Sequence, residues 1–133
     1  MNGRLIAPGR GRAPALVLDE ALSLWGGMDP ATGTIIERRH PQHGARVTGR
    51  VLVLPAARGS SSSASVLAEA VRAGTAPAAI VLGEPDLILA LGAAVAEELY
   101  GVQIPILVLP AADLAAIRDG ATVDIGPDGM AAV

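Results

Sequence analysis

Four consecutive serines, Ser60 to Ser63, follow directly on Arg58-Gly59, and this stretch concentrates the polar chemistry of the chain. A serine oxygen acts as a base or nucleophile only when something lowers its effective pKa. Two agents stand close in sequence: the Arg58 guanidinium, and the helical apolar pattern that begins with the serines. The first N–H groups of a helix lack intrahelical partners and carry partial positive charge, so such a turn accepts an anion or a carboxylate. The same residues also serve as punctuation, because serine is a favoured N-cap and glycine a favoured turn residue. Both readings stand, although one serine suffices for a cap and four are present.

Two other groups of residues can carry chemistry. His40-Pro41-Gln42-His43 brings two imidazoles together, but at a spacing unlike that of zinc sites and with no cysteine nearby. A hydrogen-bonded loop or subunit-contact role suits His40 better. Trp25-Gly26-Gly27 with Asp29 places the only tryptophan in a glycine-rich loop, where such a residue more often anchors packing than touches a ligand. The Asp128-Gly129 pair reads as a turn and Glu97-Glu98 as a solvated helix face. No Ser-His-Asp set is apparent.

The elements that position these groups follow from the apolar pattern. Leu5-Ile6 and Ala15 to Leu18 read as early strands separated by the loop P-G-R-G-R-A-P, which carries Arg10 and Arg12. The density of Gly, Pro and Asp from Gly26 to Gly33 excludes a regular helix. It predicts a long ordered loop, then a short strand at Thr34 to Glu37. Arg50 to Leu54 forms a strand stopped by Pro55. Ser60 to Ala73 forms a helix with Val66, Leu67, Ala70 and Val71 inward, ended by Gly74. Ala78 to Leu82 and Ile104 to Leu109 are continuous apolar strands, the pattern of strands buried on both faces. Between them Asp86 caps a helix from Leu87 to Tyr100. This β-α-β-α-β succession implies parallel strands joined by right-handed crossovers. A short helix at Asp113 to Arg118 and a hairpin of Thr122 to Ile125 with Met130 to Val133 complete the chain. The expected fold class is α/β: a mixed sheet with a parallel β-α-β-α-β core and early strands packed alongside.

Composition bounds the function classes. The 133 residues are enough for one domain with a real core and too few for two. Half the residues are hydrophobic, yet there is no Phe and only one Trp and one Tyr, so the core must be aliphatic. A net charge of −3 opposes a nucleic-acid partner, which needs a basic surface to neutralise phosphates. With no Cys, the chain offers no thiol nucleophile, disulfide or iron–sulfur ligand; any such centre belongs to a partner. The N-terminus lacks the apolar core of a signal peptide and no window approaches the ~20 apolar residues of a membrane span, so a cytoplasmic location without membrane contact is expected. All ten cationic residues are Arg, which fits a GC-rich, bacterial source.

Several motifs in one order then point to a family. S-L-W-G-G-M-D-P-A-T-G-T-I-I (Ser23 to Ile36), H-P-Q-H-G (His40 to Gly44), G-R-V-L-V-L-P-A-A-R-G-S-S-S-S (Gly49 to Ser63), A-P-A-A-I-V-L (Ala76 to Leu82) and A-V-A-E-E-L-Y-G-V-Q-I-P (Ala94 to Pro105) together resemble the small subunit, or swivel domain, of aconitase X. The similarity runs from about Arg4 to Val123. The resemblance implies a swivelling β/β/α domain, residues 1–133, that closes over the active site of a separate large catalytic subunit. The implied activity is hydro-lyase: loss of water from a small hydroxy acid, with iron or an iron–sulfur cluster in the large subunit and no cofactor or metal on this chain. It further implies Ser60 as the base, with Arg58, Gly59, Ser61 and Ser62 at the substrate, and Trp25, Gly26, Gly27, Asp29 and His40 ordering the loop or the subunit interface. One departure stands out, because aconitase places its loop arginine after the serines whereas Arg58 precedes them. Among the activities that the family implies, the Arg-only composition favours dehydration of cis-3-hydroxy-L-proline, with mevalonate 5-phosphate as the alternative substrate. A non-catalytic partner-binding or regulatory module is the alternative of another class.

Overall fold

Strands without polar alternation must be covered on both faces, and that requirement organises the molecule. A computed structural model describes residues 1–133. Its elements are β1 (Arg4–Ala7), β2 (Gly11–Val17), the single turn α1 (Leu24–Gly27), β3 (Met28–Asp29), β4 (Thr34–Ile35), β5 (Val51–Leu54), α2 (Ser62–Ala73), β6 (Ala79–Leu82), α3 (Leu87–Tyr100), β7 (Ile106–Val108), α4 (Ala111–Ala116), β8 (Thr122–Ile125) and β9 (Ala131–Ala132). Seven strands form one sheet in the order β1-β7-β6-β5-β2-β8-β9, and β3 pairs with β4 separately. The four central strands β7, β6, β5 and β2 are parallel, while β1, β8 and β9 join antiparallel.

Successive side chains of a strand point to opposite faces, so each central strand feeds two cores. Leu52, Leu54, Ile80, Leu82 and Ile106 meet Val66, Leu67 and Ala70 of α2 and Leu89 and Ala93 of α3 on one face. Val51, Val53, Ala79, Val81 and Leu107 face the other way, onto Ala13, Ala15, Val123, Ile125 and Ile117. Burying each such Val, Leu or Ile side chain contributes about 1.5–3 kcal/mol. The second core exists because the sheet curls until its edges meet. The Met1 ammonium donates to the Ala131 carbonyl at 2.8 Å, Ala131 N–H donates to Met1 O at 2.9 Å, and Gly3 N–H to Gly129 O at 2.9 Å. This closure leaves few strand-edge groups exposed.

The two long helices, α2 and α3, end where the sequence says they should. Asp86 Oδ1 accepts from Leu89 N–H at 2.9 Å, and Gly74 and Gly101 take left-handed φ values of 76° and 66° after α2 and α3. No helix is long and apolar enough to cross a membrane. Several element ends shift by one or two residues: β4 ends at Ile35 rather than Glu37, α2 begins at Ser62 rather than Ser60, and β7 covers Ile106 to Val108 rather than Ile104 to Leu109. Three further differences bear on the architecture. Gly11 to Pro14, expected as loop, extend β2 and pair with β8. Proline is tolerated there because Ala15 N–H donates toward the β8 side, to Ala121 O at 2.8 Å, so the neighbouring Pro14 nitrogen faces away, where the β5 ladder has not yet begun. The Arg50 guanidinium fills that space and donates to the carbonyls of Pro14 at 3.3 Å and Ala15 at 2.7 Å. Residues Met28 to Ile35 form a tight hairpin within the stretch expected as a long ordered loop, and α4 runs from Ala111 to Ala116 rather than from Asp113 to Arg118.

The parallel crossovers lay α2 and α3 side by side, and Gly92 is where they touch. A Cβ at Gly92 would lie 2.9 Å from Ala64 O and 3.0 Å from Ala64 Cα, both backbone atoms that cannot rotate away. Gly92→Ala is therefore expected to cost about 1–3 kcal/mol by overpacking. A thermal melt followed by circular dichroism checks this, and the expected result is a midpoint several degrees lower.

Candidate functional site

The serine turn leaves β5 at Pro55 on the carboxyl end of the parallel strands, the edge at which open α/β sheets bind ligands. It is held from two sides. Gly83 N–H, just beyond β6, donates to Pro55 O at 3.0 Å. From the other side Leu22 runs parallel to it: Leu22 N–H donates to Ala56 O at 3.4 Å, and Arg58 N–H donates to Leu22 O at 3.1 Å. The segment carrying Trp25 and the segment carrying the serines, which are remote in sequence, thus form one surface.

Within the turn, the four serines have four different environments. Ser60 is half-buried and its Oγ accepts from Ser62 N–H at 3.1 Å. Its carbonyl accepts from Ser63 N–H at 2.9 Å, so Ser60 opens the first turn of α2. The Oγ bond is the one an N-cap serine makes. It is also one that favours negative charge on the oxygen, because an N–H donor and the helix N-terminus both stabilise an alkoxide. Ser61 is exposed and makes no side-chain capping bond, and Ser62 is the first residue of α2. Ser63 is 2% exposed, and its Oγ accepts from Trp25 N–H at 3.2 Å. Sequence reasoning omitted Ser63 from the site. The signal was present in the inward spacing of α2, since Ser63 precedes Leu67 and Ala70 by four and seven positions on the same face.

Gly59 has φ +154°, a region that favours glycine. Arg58 is exposed and Arg72–Glu69 is the only ion pair of the chain, so no internal counter-charge occupies the Arg58 guanidinium. Arg72 also holds the Glu69 carboxyl below its usual pKa through a hydrogen bond on the open face of α2, and this exposed carboxylate makes no bond to Ser60. Trp25 is 59% exposed, with Gly26 beside it at φ 77°. Gly27 is buried against Leu22. Asp29 lies away from the serines and closes the β3–β4 turn, its Oδ1 accepting from Ala31 N–H at 2.9 Å.

His40 is 3% exposed and both ring nitrogens face backbone groups: Nδ1 accepts from Gln42 N–H at 3.0 Å, which leaves the proton on Nε2 to donate to Glu20 O at 3.2 Å. No group of three His, Cys, Asp or Glu side chains is placed to hold a metal ion, and these residues therefore do not fit an iron or iron–sulfur centre.

Comparison with known proteins gives a consistent picture. The family model described as the aconitase X swivel domain matches residues 1–133. Over 106 residues the chain is 48% identical to the cis-3-hydroxy-L-proline dehydratase of Pseudomonas aeruginosa, covering 80% of this chain but only 18% of that protein. It is 38% identical to the phosphomevalonate dehydratase small subunit of Methanothermobacter thermautotrophicus, covering 94% of this chain and 92% of that subunit. The fold superimposes on the holo-form crystal structure of Thermococcus kodakaraensis aconitase X with a TM-score of 0.86 and 28% identity, over 98% of this chain and 93% of that one. A solution NMR structure of a UPF0107 protein gives a TM-score of 0.85 at 34% identity, over 98% and 95% of the two chains.

The buried imidazole yields a test. His40→Ala strands two backbone groups and should lower the unfolding free energy by about 1–3 kcal/mol, whereas His43→Ala, at an exposed neighbour, should stay within about 0.5 kcal/mol. Urea titration of the two variants measures the difference.

Proposed function

The chain belongs to the aconitase X swivel-domain family, and from that premise we propose that it is the small subunit of a hydroxy-acid dehydratase, supplying Ser60 as general base to a substrate held on a large subunit. The observation that carries this reading is the Ser62 N–H donated to Ser60 Oγ at 3.1 Å, at the N-terminus of α2. It gives the oxygen the stabilisation an alkoxide needs. A second observation supports the need for a partner. Arg58, Gly59 and Ser61 are exposed, and a base of this kind works in a site from which water is excluded. Closure by another polypeptide supplies that exclusion.

Both relatives' names describe acids whose hydroxyl sits on the carbon β to the carboxylate. Dehydration breaks the C–H bond next to the carboxylate and the neighbouring C–O bond. Ser60 Oγ takes the proton, the C–H electron pair becomes the double bond, and the C–O pair leaves with the hydroxyl, which takes up a proton from an acid group on the large-subunit side to become water. Arg58, free of any internal partner, binds the carboxylate, and Gly59, Ser61 and Ser62 shape the turn against it. Iron or an iron–sulfur cluster belongs to the large subunit and supplies Lewis acidity there. Trp25 and Gly26 face that subunit, with Gly27 packed on Leu22 beneath them, while Asp29 and His40 order the loops behind.

The substrate is cis-3-hydroxy-L-proline, supported by the 48% identity to the Pseudomonas dehydratase. The near full-length match to a phosphomevalonate dehydratase small subunit favours mevalonate 5-phosphate as the second reading. Turnover of each compound by the chain co-expressed with its large subunit separates them.

Ser60 is both cap and proposed base, so its test needs two variants. In the assembled enzyme Ser60→Ala should lose about 10²–10⁴ in kcat, and Ser60→Asn, which keeps an N-cap acceptor, should fall as far. Full activity in the Asn variant would reduce Ser60 to a cap, and full activity in both would leave the chain a non-catalytic module.

A further inference from the structure

The surface formed by Leu22 to Trp25 and Arg58 to Ser63 is fastened at two points. One is the backbone pairing of Leu22 with Ala56 and Arg58 described above. The other is a single side-chain bond, Trp25 N–H to Ser63 Oγ at 3.2 Å. Between these points lie Gly59 and Ser60, with no further bond from their own atoms to the Trp25 segment. Two hydroxyls nevertheless close on Gly59 from below. A Cβ there would lie 3.2 Å from Ser63 Oγ and 3.4 Å from Ser23 Oγ, and Ser23 Oγ itself donates to Trp25 O at 3.1 Å. Ser63 Oγ therefore holds the Trp25 amide and lies in the space that a side chain at Gly59, the residue before Ser60, would enter. It is the one buried serine of the four, and its oxygen is turned inward, so direct contact with substrate is not its role.

We infer that Ser63 is a positioning residue which couples the exposed Trp25 loop to the Gly59–Ser60 turn, so that the placement of Trp25 fixes the direction of Ser60 Oγ. This deepens the reading of Ser60 as base and rests on it. The physical basis is leverage on a short span. Three residues separate Ser63 from Gly59, and a displacement of about 1 Å at a reacting group is enough to cost about 10²-fold in rate. The large subunit needs only to seat Trp25 for the serine turn to be carried with it. Removing the Ser63 hydroxyl unfastens one end of the turn while leaving the capping bond of Ser60, the core of α2 and the indole surface in place.

Two measurements on Ser63→Ala test the coupling. By NMR on the isolated full chain, the Trp25 amide should exchange at least about 10-fold more slowly than that of exposed Gly26 in the wild type. Ser63→Ala should remove that protection while the Leu67 and Ala70 amides keep theirs. In the assembled enzyme, with cis-3-hydroxy-L-proline as the probe, kcat should fall about 10- to 100-fold, with KM and subunit affinity changed less than about twofold. An unprotected Trp25 amide in the wild type, or wild-type kcat in Ser63→Ala, overturns the inference. The exchange result does not depend on catalysis, so if Ser60→Ala proves fully active the reading of Ser60 fails while the fastening by Ser63 is still judged separately.

Discussion

One backbone amide governs what this surface can do. Ser62 N–H is among the first donors of α2 that no helical carbonyl can satisfy, and the chain turns so that Ser60 Oγ receives it at 3.1 Å. Placing that oxygen there demands that β5 stop at Pro55, that Gly59 adopt φ +154°, and that α2 start within a few residues of the strand. The continuous parallel core beneath meets those demands. Val51 to Leu54 are buried on both faces and fix the exit of the strand, while Leu67 and Ala70 fix the helix over it. The segment Leu22 to Trp25 bonds to both ends of the turn, through Leu22 to Ala56 and Arg58 and through Trp25 to Ser63.

Much of this was legible in the sequence. The parallel core showed itself as unalternating runs at Ala78 to Leu82 and Ile104 to Leu109, and the helix ends as Asp86 and Gly74. The misses have physical causes. Proline and glycine in P-G-R-G-R-A-P read as loop, but Pro14 falls where the strand needs no donor, a fact fixed only by the position of β8. Ser63 was hidden by its neighbours, because four identical side chains look equivalent until helix phase turns one of them into the core. The proximity of Trp25 to the serines was not legible at all, because more than thirty residues separate them and an isolated parallel bridge between Leu22 and Ala57 joins their segments. The motif order identified the family, where periodicity alone identified only the fold class.

The division of labour between this chain and its proposed partner follows from what each residue set lacks. There is no cysteine and no cluster of metal ligands, and the two histidines are committed elsewhere or exposed, with His40 bonded to Glu20 and Gln42. What the chain does hold is an oriented hydroxyl, a guanidinium in no ion pair and an exposed indole, set on one edge of the sheet. In the proposed complex, bonds already made within the turn reduce the conformational entropy lost on association, so more of the contact energy serves to exclude water around the proposed base.

The central claim is that Ser60 removes the hydrogen next to the substrate carboxylate. Its most direct test is a single turnover of cis-3-hydroxy-L-proline labelled at C2 with tritium, using the complex of this chain with its large subunit. Release of label to water should keep pace with product formation in the wild type and fall by about 10²–10⁴ in Ser60→Ala. Release at the wild-type rate from the Ser60→Ala complex would contradict the account and assign the proton to a base outside this chain.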